Sequence, residues 1–401
     1  MMIKSILDTD LYKLTMQQLA LELFPDSITE YRFTNRGKHG FTPEFVDNLR
    51  KIIDKEFPKL TLTQEEYDWL RKKCPYFKVN YLEYLRNYRF NPNEVAINVD
   101  VEGKLDITIK GPWHSTILWE VPLMATISEL YFQTIDTDWN TDGQLEKMES
   151  KASVFNAYGP KFNLKTMMKL ADFGTRRRRS FEVQDLLIKT WKDQPFFVGT
   201  SNVHLAMKHD ITPIGTMAHE LCQAMAALES MNHPNYHMLQ NWVKIYNADL
   251  GIALTDTYGT DSFLENFNLR FAKLYDGVRH DSGCPYEFAD KIINHYKSLN
   301  IDPMSKVIVF SDGLDAETAY KIAEYCDRKI KCAFGIGTNL TNDFDSSKAL
   351  NMVIKLWYVN EIPVVKLSDT PGKESGDPKM VKVMKYIHRK EFLADKTMPL
   401  K

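Results

Sequence analysis

The chain has 401 residues, of which 44% are apolar and 26% charged, and a formal net charge of −2. That length exceeds one small core and suggests two or so domains of roughly 100–200 residues each, while the balanced charge gives no global bias toward nucleic acid or acidic membranes. The five cysteines, Cys74, Cys222, Cys284, Cys326 and Cys332, include no C-x-x-C pair, which argues against a disulfide framework or a zinc site and for a reducing, cytoplasmic setting.

The N-terminus, Met1 to Thr9, carries no apolar signal core, and no run approaches the ~20 apolar residues a membrane span needs. Residues 1–135 read as an α+β domain. Leu11, Leu14, Leu19 and Leu23 recur at helical spacing and stop before Pro25; Thr29 to Phe33 alternates as a strand does. Thr63-Gln64-Glu65-Glu66 resembles a capping box. Glu94 to Lys110 alternates around Gly103 and reads as a hairpin, and Trp119 to Phe132 as a buried helix.

From about residue 165 the pattern becomes strand, polar loop, then often helix. Leu170 to Phe173, Phe196 to Val198, Thr212 to Ile214, Ile252 to Leu254, Gly277-Val278, Val307 to Phe310 and Cys332 to Phe334 are short apolar runs, each followed by glycine or polar residues. Pro285 stands where a first helical residue belongs, and Phe288, Ile292, Tyr296 and Leu299 mark one face of the helix it opens. Alternating strands and helices favour a parallel sheet. Polar loops gathered at strand C-termini favour a β/α barrel over residues 136–345, with a doubly wound open sheet as the alternative. Residues 346–401 either complete the barrel or return to the N-terminal domain.

Three features point to chemistry. Asp281-Ser282-Gly283, Asp312-Gly313 and Gly335-Ile336-Gly337-Thr338 are glycine-bearing turns at strand ends, where backbone N–H groups approach phosphates and carboxylates hold Mg²⁺. Each is equally an ordinary tight turn. Arg176-Arg177-Arg178-Arg179 reads as a solvated charged face, a nucleic-acid patch, or, for Arg176, a guanidinium placed for a carboxylate or an aromatic ring. In Gly215-Thr216-Met217-Ala218-His219-Glu220, His219 is either a structural histidine or a base or nucleophile. Glu220 is not assigned as its partner, because neighbours on a helix point different ways. Lys366, Ser368 and Lys373 form a late polar cluster, as a phosphate loop or a solvent loop.

Those motifs, with Leu7-Asp8-Thr9-Asp10-Leu11-Tyr12-Lys13, Gly111-Pro112-Trp113, Trp119-Glu120-Val121-Pro122-Leu123, Asp172-Phe173-Gly174-Thr175-Arg176, Gly199-Thr200-Ser201-Asn202 and Lys366-Leu367-Ser368-Asp369, resemble the nicotinate phosphoribosyltransferases, in the family's order. The resemblance implies an irregular β/α barrel behind an α+β domain. It implies transfer of 5-phosphoribose from phosphoribosyl pyrophosphate to nicotinate for NAD salvage, coupled to ATP hydrolysis and needing Mg²⁺. It implies a homodimer with shared active sites, Tyr12 reaching the partner's, and no nucleic-acid or membrane partner. His219 is implied as the histidine phosphorylated by ATP. Phe173 and Arg176 are implied to hold the pyridine ring; Asp256, Arg279, Asp281, Asp312, Gly313, Gly335, Gly337 and Lys366 to surround ribose, phosphates and, at Asp281 and Asp312, the metal. Asp256 and Asp281 are expected to act in the chemistry beside His219. Ser201 stands where nicotinamide-using relatives carry aspartate, and its hydroxyl is expected to donate to nicotinate's carboxylate. The competing readings are a nicotinamide or quinolinate phosphoribosyltransferase and a sugar-phosphate barrel enzyme.

Overall fold

The computed structural model describes residues 2–37, 39–158 and 168–389. The strands in chain order are β1 (Ile28–Asn35), β2 (Val95–Val99), β3 (Leu105–Pro112), β4 (Lys169–Asp172), β5 (Phe197–Thr200), β6 (Ile252–Leu254), β7 (Gly277–His280), β8 (Val307–Phe310), β9 (Lys331–Ile336), β10 (Met352–Val359) and β11 (Ile362–Pro363). They form an antiparallel sheet in the order β11-β10-β1-β3-β2 and a parallel sheet in the order β5-β4-β9-β8-β7-β6. The mixed α/β class follows the sequence pattern.

The antiparallel sheet is built on alternation. In β1, Thr29, Tyr31 and Phe33 are buried while Glu30 and Arg32 lie on the other face. The hairpin from β2 to β3 turns where Asp100 Oδ1 accepts from the amides of Glu102 and Lys104, and Gly103 takes φ +78°. The capping box is present, with Thr63 and Glu66 each bonded to the other's backbone. In the last segment β10, Met352–Val359, pairs antiparallel with β1, beginning at Thr29↔Val359. Residues 390–401 lie outside the described residues.

The parallel strands are short and apolar, as buried strands with helical crossovers are. Each loop expected to carry chemistry follows a strand's C-terminal end. Among the described residues β5 and β6 are the edges of this ladder. Thr212 to Ile214, which reads as a strand, makes one bridge, Thr200↔Pro213. Proline has no N–H to donate, and beyond it the contact with β6 passes to a side chain, Thr216 Oγ1 donating to Ile252 O at 2.8 Å.

The arginine run is neither a solvated face nor a nucleic-acid patch. Arg178 and Asp8 are wholly buried and bidentate, at 2.7 and 2.9 Å. Arg179 is also buried. It donates to Asn342 Oδ1 and to Ser347 Oγ and O, and its guanidinium lies 3.6 Å from the Phe132 ring centre. Arg177 donates to Met352 O at the start of β10. These three arginines therefore staple the loop after β4 to the N-terminus, to the chain after β9, and to β10. Arg176 is the member of the run that lines the cavity described below. Breaking a buried pair from one side leaves an uncompensated charge. Arg178→Met is accordingly expected to lower stability by about 3–5 kcal/mol, read as a fall in the urea midpoint.

Candidate active site

His219 is the first residue of the helix His219–Leu228. Its Nε2 lies 2.9 Å from Asp256 Oδ1 and 3.4 Å from Asp281 Oδ2. Asp256 follows β6 and Asp281 follows β7, so two adjacent parallel strands deliver both carboxylates to one imidazole. Lys366, after β11, places Nζ 2.8 Å from Asp256 Oδ2 and 4.0 Å from Asp281 Oδ2. Ser282 Oγ also donates to Asp256 Oδ2, at 2.5 Å. Arg279 Nη2 holds Asp281 Oδ1 at 2.9 Å, and Ser311 donates to the same oxygen.

Burial works to raise the Asp256 carboxyl, but His219 and Lys366 outweigh it and hold Asp256 well below the ordinary carboxylate range. Asp281 is lowered in the same sense, with Arg279, His219 and Lys366 overcoming burial. His219 itself is pushed down by burial and by the Lys366 ammonium, against the pull of the two aspartates. The imidazole is therefore neutral at pH 7. Its Nε2–H is held by Asp256, and Nδ1 is left as the basic nitrogen. Asp256, not Glu220, is the acceptor that sets the tautomer.

On the other side of His219 is a cavity of about 80 Å³ lined by Tyr12, Glu120, Arg176, Lys355 and Lys366 among others. Tyr12 reaches this cavity within its own chain. Arg176 Nη1 faces Glu120 Oε1 at 3.4 Å. Phe173 follows β4, with the Arg279 guanidinium 5.6 Å from its ring centre. Gly335 and Gly337 serve Phe173: a Cβ at Gly335 would sit 2.2 Å from Phe173 Cε2, and one at Gly337 3.0 Å from Phe173 O.

Two further residues expected in the site have partners within the chain. Ser201 is buried, and its hydroxyl donates to Asp10 Oδ1 at 2.7 Å. A hydroxyl has one proton, and here it is given to Asp10. Asp312 is paired with Lys373 at 3.2 Å and lies outside the one His/Cys/Asp/Glu cluster found among the described residues, which is His219, Asp256 and Asp281. Beside it Gly313 takes φ +60° with open space around it, an ordinary left-handed turn.

Sequence reading missed Lys355, Arg36, Glu120 and the site role of Lys13. Lys355 is the single charged residue in the otherwise apolar β10, which is a legible signal. Burial, Lys366, Arg36 and Arg176 push its ammonium down to about 7. Glu120 gave no such signal, because it opens the helix Glu120–Thr134, where an acidic residue is ordinary.

Comparison with known proteins gives a consistent result. The model of the nicotinate phosphoribosyltransferase (NAPRTase) family matches residues 168–391, and that of its N-terminal domain matches 7–128. The nicotinate phosphoribosyltransferase of Methanosarcina acetivorans is 52% identical over 96% of this chain and 98% of that one. That of Chromohalobacter salexigens is 42% identical over 96% and 98%. The crystal structure of nicotinate phosphoribosyltransferase from Porphyromonas gingivalis superposes with a TM-score of 0.91 at 39% identity, over 96% of this chain and 98% of that one.

The balance at His219 can be tested directly. Lys366→Met removes a cation that depresses the imidazole and leaves two aspartates that raise it. The His219 resonance in an NMR titration is expected to move from below the ordinary ~6.5 to a higher pKa in the variant. An unchanged titration would mean that Lys366 does not act on His219.

Proposed function

This chain belongs to the nicotinate phosphoribosyltransferase family, and on that premise we propose that its cavity transfers 5-phosphoribose from phosphoribosyl pyrophosphate to the ring nitrogen of nicotinate, coupled to ATP hydrolysis through His219, in NAD salvage. The observation that supports the reading is that His219, Lys366 and Arg176 line one cavity, with Asp256 and Asp281 paired to His219 and Lys366. The strand pairing supports an irregular barrel: the first parallel strand, β4, pairs with the last, β9, as closure of a ring requires and as an open doubly wound sheet does not. We take 1–135 as the α+β domain and 136–345 as the barrel, with 346–401 returning to the first.

The pyridine nitrogen keeps its lone pair at neutral pH, so no base is needed to activate it. Phe173 offers a ring face, Tyr12 an aromatic edge, and Arg176 a guanidinium for the carboxylate. As pyrophosphate leaves, the ribosyl carbon gains oxocarbenium character. Ionised Asp256 and Asp281 stabilise that charge, and Lys366 and Arg279 stabilise the leaving oxygens. Asp281 Oδ2 and Asp256 would hold Mg²⁺, which when bound supplies further charge to the phosphates. Lys366 already sits on Asp256, so these residues fit an ion shared with substrate oxygens and not a closed protein cage.

His219 Nδ1 is the nitrogen free to take the γ-phosphoryl group of ATP, with Asp256 holding the other ring N–H as positive charge develops. We take the assembly to be a homodimer, although Tyr12 already lines its own chain's cavity. No helix among the described residues is long and apolar enough to cross a membrane, and the free thiols Cys74, Cys222, Cys284, Cys326 and Cys332 suit a cytoplasmic setting.

The deciding assay is nicotinate mononucleotide formation with and without ATP, with nicotinamide as control. ATP is expected to stimulate the parent. His219→Ala should lose ATP hydrolysis and its stimulation while keeping slow ribosyl transfer; acid-labile label from γ-labelled ATP persisting in that variant would place the phosphate elsewhere. A second outcome concerns Lys355, which is charged below about pH 7 and neutral above it. Phosphates draw a proton onto it, so phosphoribosyl pyrophosphate should bind more weakly as pH rises through 7 to 8. In Lys355→Met that slope should flatten, as isothermal titration at several pH values would reveal.

A further inference from the structure

Lys13 is wholly buried and serves two carboxylates, with Nζ 2.5 Å from Glu120 Oε2 and 2.5 Å from Glu220 Oε2. The two are held unequally. Glu220 has further donors on its other oxygen, Tyr31 OH at 2.6 Å and Trp113 Nε1 at 2.8 Å. Among the described residues the other oxygen of Glu120 has only Arg176 Nη1, at a long 3.4 Å. Glu120 is nonetheless ionised: burial works to raise it, and Lys13 and Arg176 bring it below its ordinary value. Arg176 therefore enters the cavity with a carboxylate already beside it, loosely bound and with a second cation to fall back on.

We propose that Glu120 is an internal competitor for Arg176, a positioning residue that weakens the cavity's hold on a pyridine carboxylate and so hastens release of the acid product. This rests on the reading of Arg176 as the carboxylate-binding residue. When the ligand's carboxylate takes the guanidinium, Glu120 gives up a long contact and keeps its short one to Lys13, so exchange costs little. The displaced carboxylate stays within the same cavity lining and repels the bound acid. A neutral amide feels no such repulsion. The effect is one of charge, so it should act on acids and spare their amides.

Glu120→Gln separates this role from a scaffolding one. Glutamine keeps an acceptor for Lys13, and Glu220 remains as its counter-ion, so the fold is preserved. Steady-state kinetics should show the KM for nicotinate falling about fivefold, the equivalent of about 1 kcal/mol, with kcat falling beside it as product release slows. Inhibition by nicotinamide and the KM for phosphoribosyl pyrophosphate should stay within about twofold. A raised KM for nicotinate would show that Glu120 orients Arg176, and an unchanged one that it does not act on the ligand; either result overturns the proposal. Arg176→Ala tells the two readings apart. If it leaves the nicotinate KM unchanged, the assignment of Arg176 fails. If it raises that KM steeply while Glu120→Gln tightens nothing, only the competitor fails.

Discussion

Asp256 is a carboxylate 1% exposed that stays ionised because it touches both an imidazole and an ammonium. Removing a charge from water costs several kcal/mol unless partners repay it. Here the repayment is shared among His219, Lys366 and Ser282, and the result is used in both directions. The anion fixes the tautomer of His219, and burial together with Lys366 disfavours its protonation. The two aspartates pull His219 toward its protonated form, and burial and Lys366 oppose them. Asp256, Lys366 and His219 come from the loops after β6 and β11 and from the start of a helix, so the site requires both sheets.

Much of this was legible in residues. Short apolar runs ending in glycine or polar residues located β4 to β9, because a buried parallel strand needs only length and apolarity. The capping box at Thr63 and Pro285 at a first helical turn are local chemistry and were read locally. What failed was non-local. Thr212 to Ile214 has a strand's composition, yet Pro213 cannot donate, and composition does not weigh one missing N–H. The partner of β10 is β1, more than three hundred residues earlier, and no periodicity encodes pairing at that distance. The hydrogen bond from Ser201 to Asp10, in the N-terminal segment, is likewise beyond local reading.

The arginine run shows the limit most plainly. Four like charges in sequence read as solvated, because adjacent side chains are assumed to share an environment. After β4 the backbone turns through a 3-10 stretch at Thr175–Arg177, so the four point in different directions. Arg177, Arg178 and Arg179 each meet acceptors from elsewhere in the chain. The same stapling that removes them from solvent holds the loop still, and Phe173 and Arg176 need that. Catalytic geometry is commonly fixed by residues that never touch a ligand.

The cations that remain argue for the kind of ligand. Asp256 and Asp281 are matched by Lys366 and Arg279, and Glu120 and Glu220 by Lys13 and Arg176. Among the described residues no carboxylate lies within ion-pair distance of Arg36, Arg177 or Lys355. Their crowding lowers Arg177 to about 10 and Lys355 to about 7, burial contributing most to each. Anionic oxygens placed among these cations would relieve that crowding. A monoanionic pyridine acid, already met by Arg176, leaves it unrelieved; a donor carrying pyrophosphate and a further phosphate does not. On the proposed function, the unmatched charge suits the phosphates of the donor, as Arg176 suits the pyridine acid.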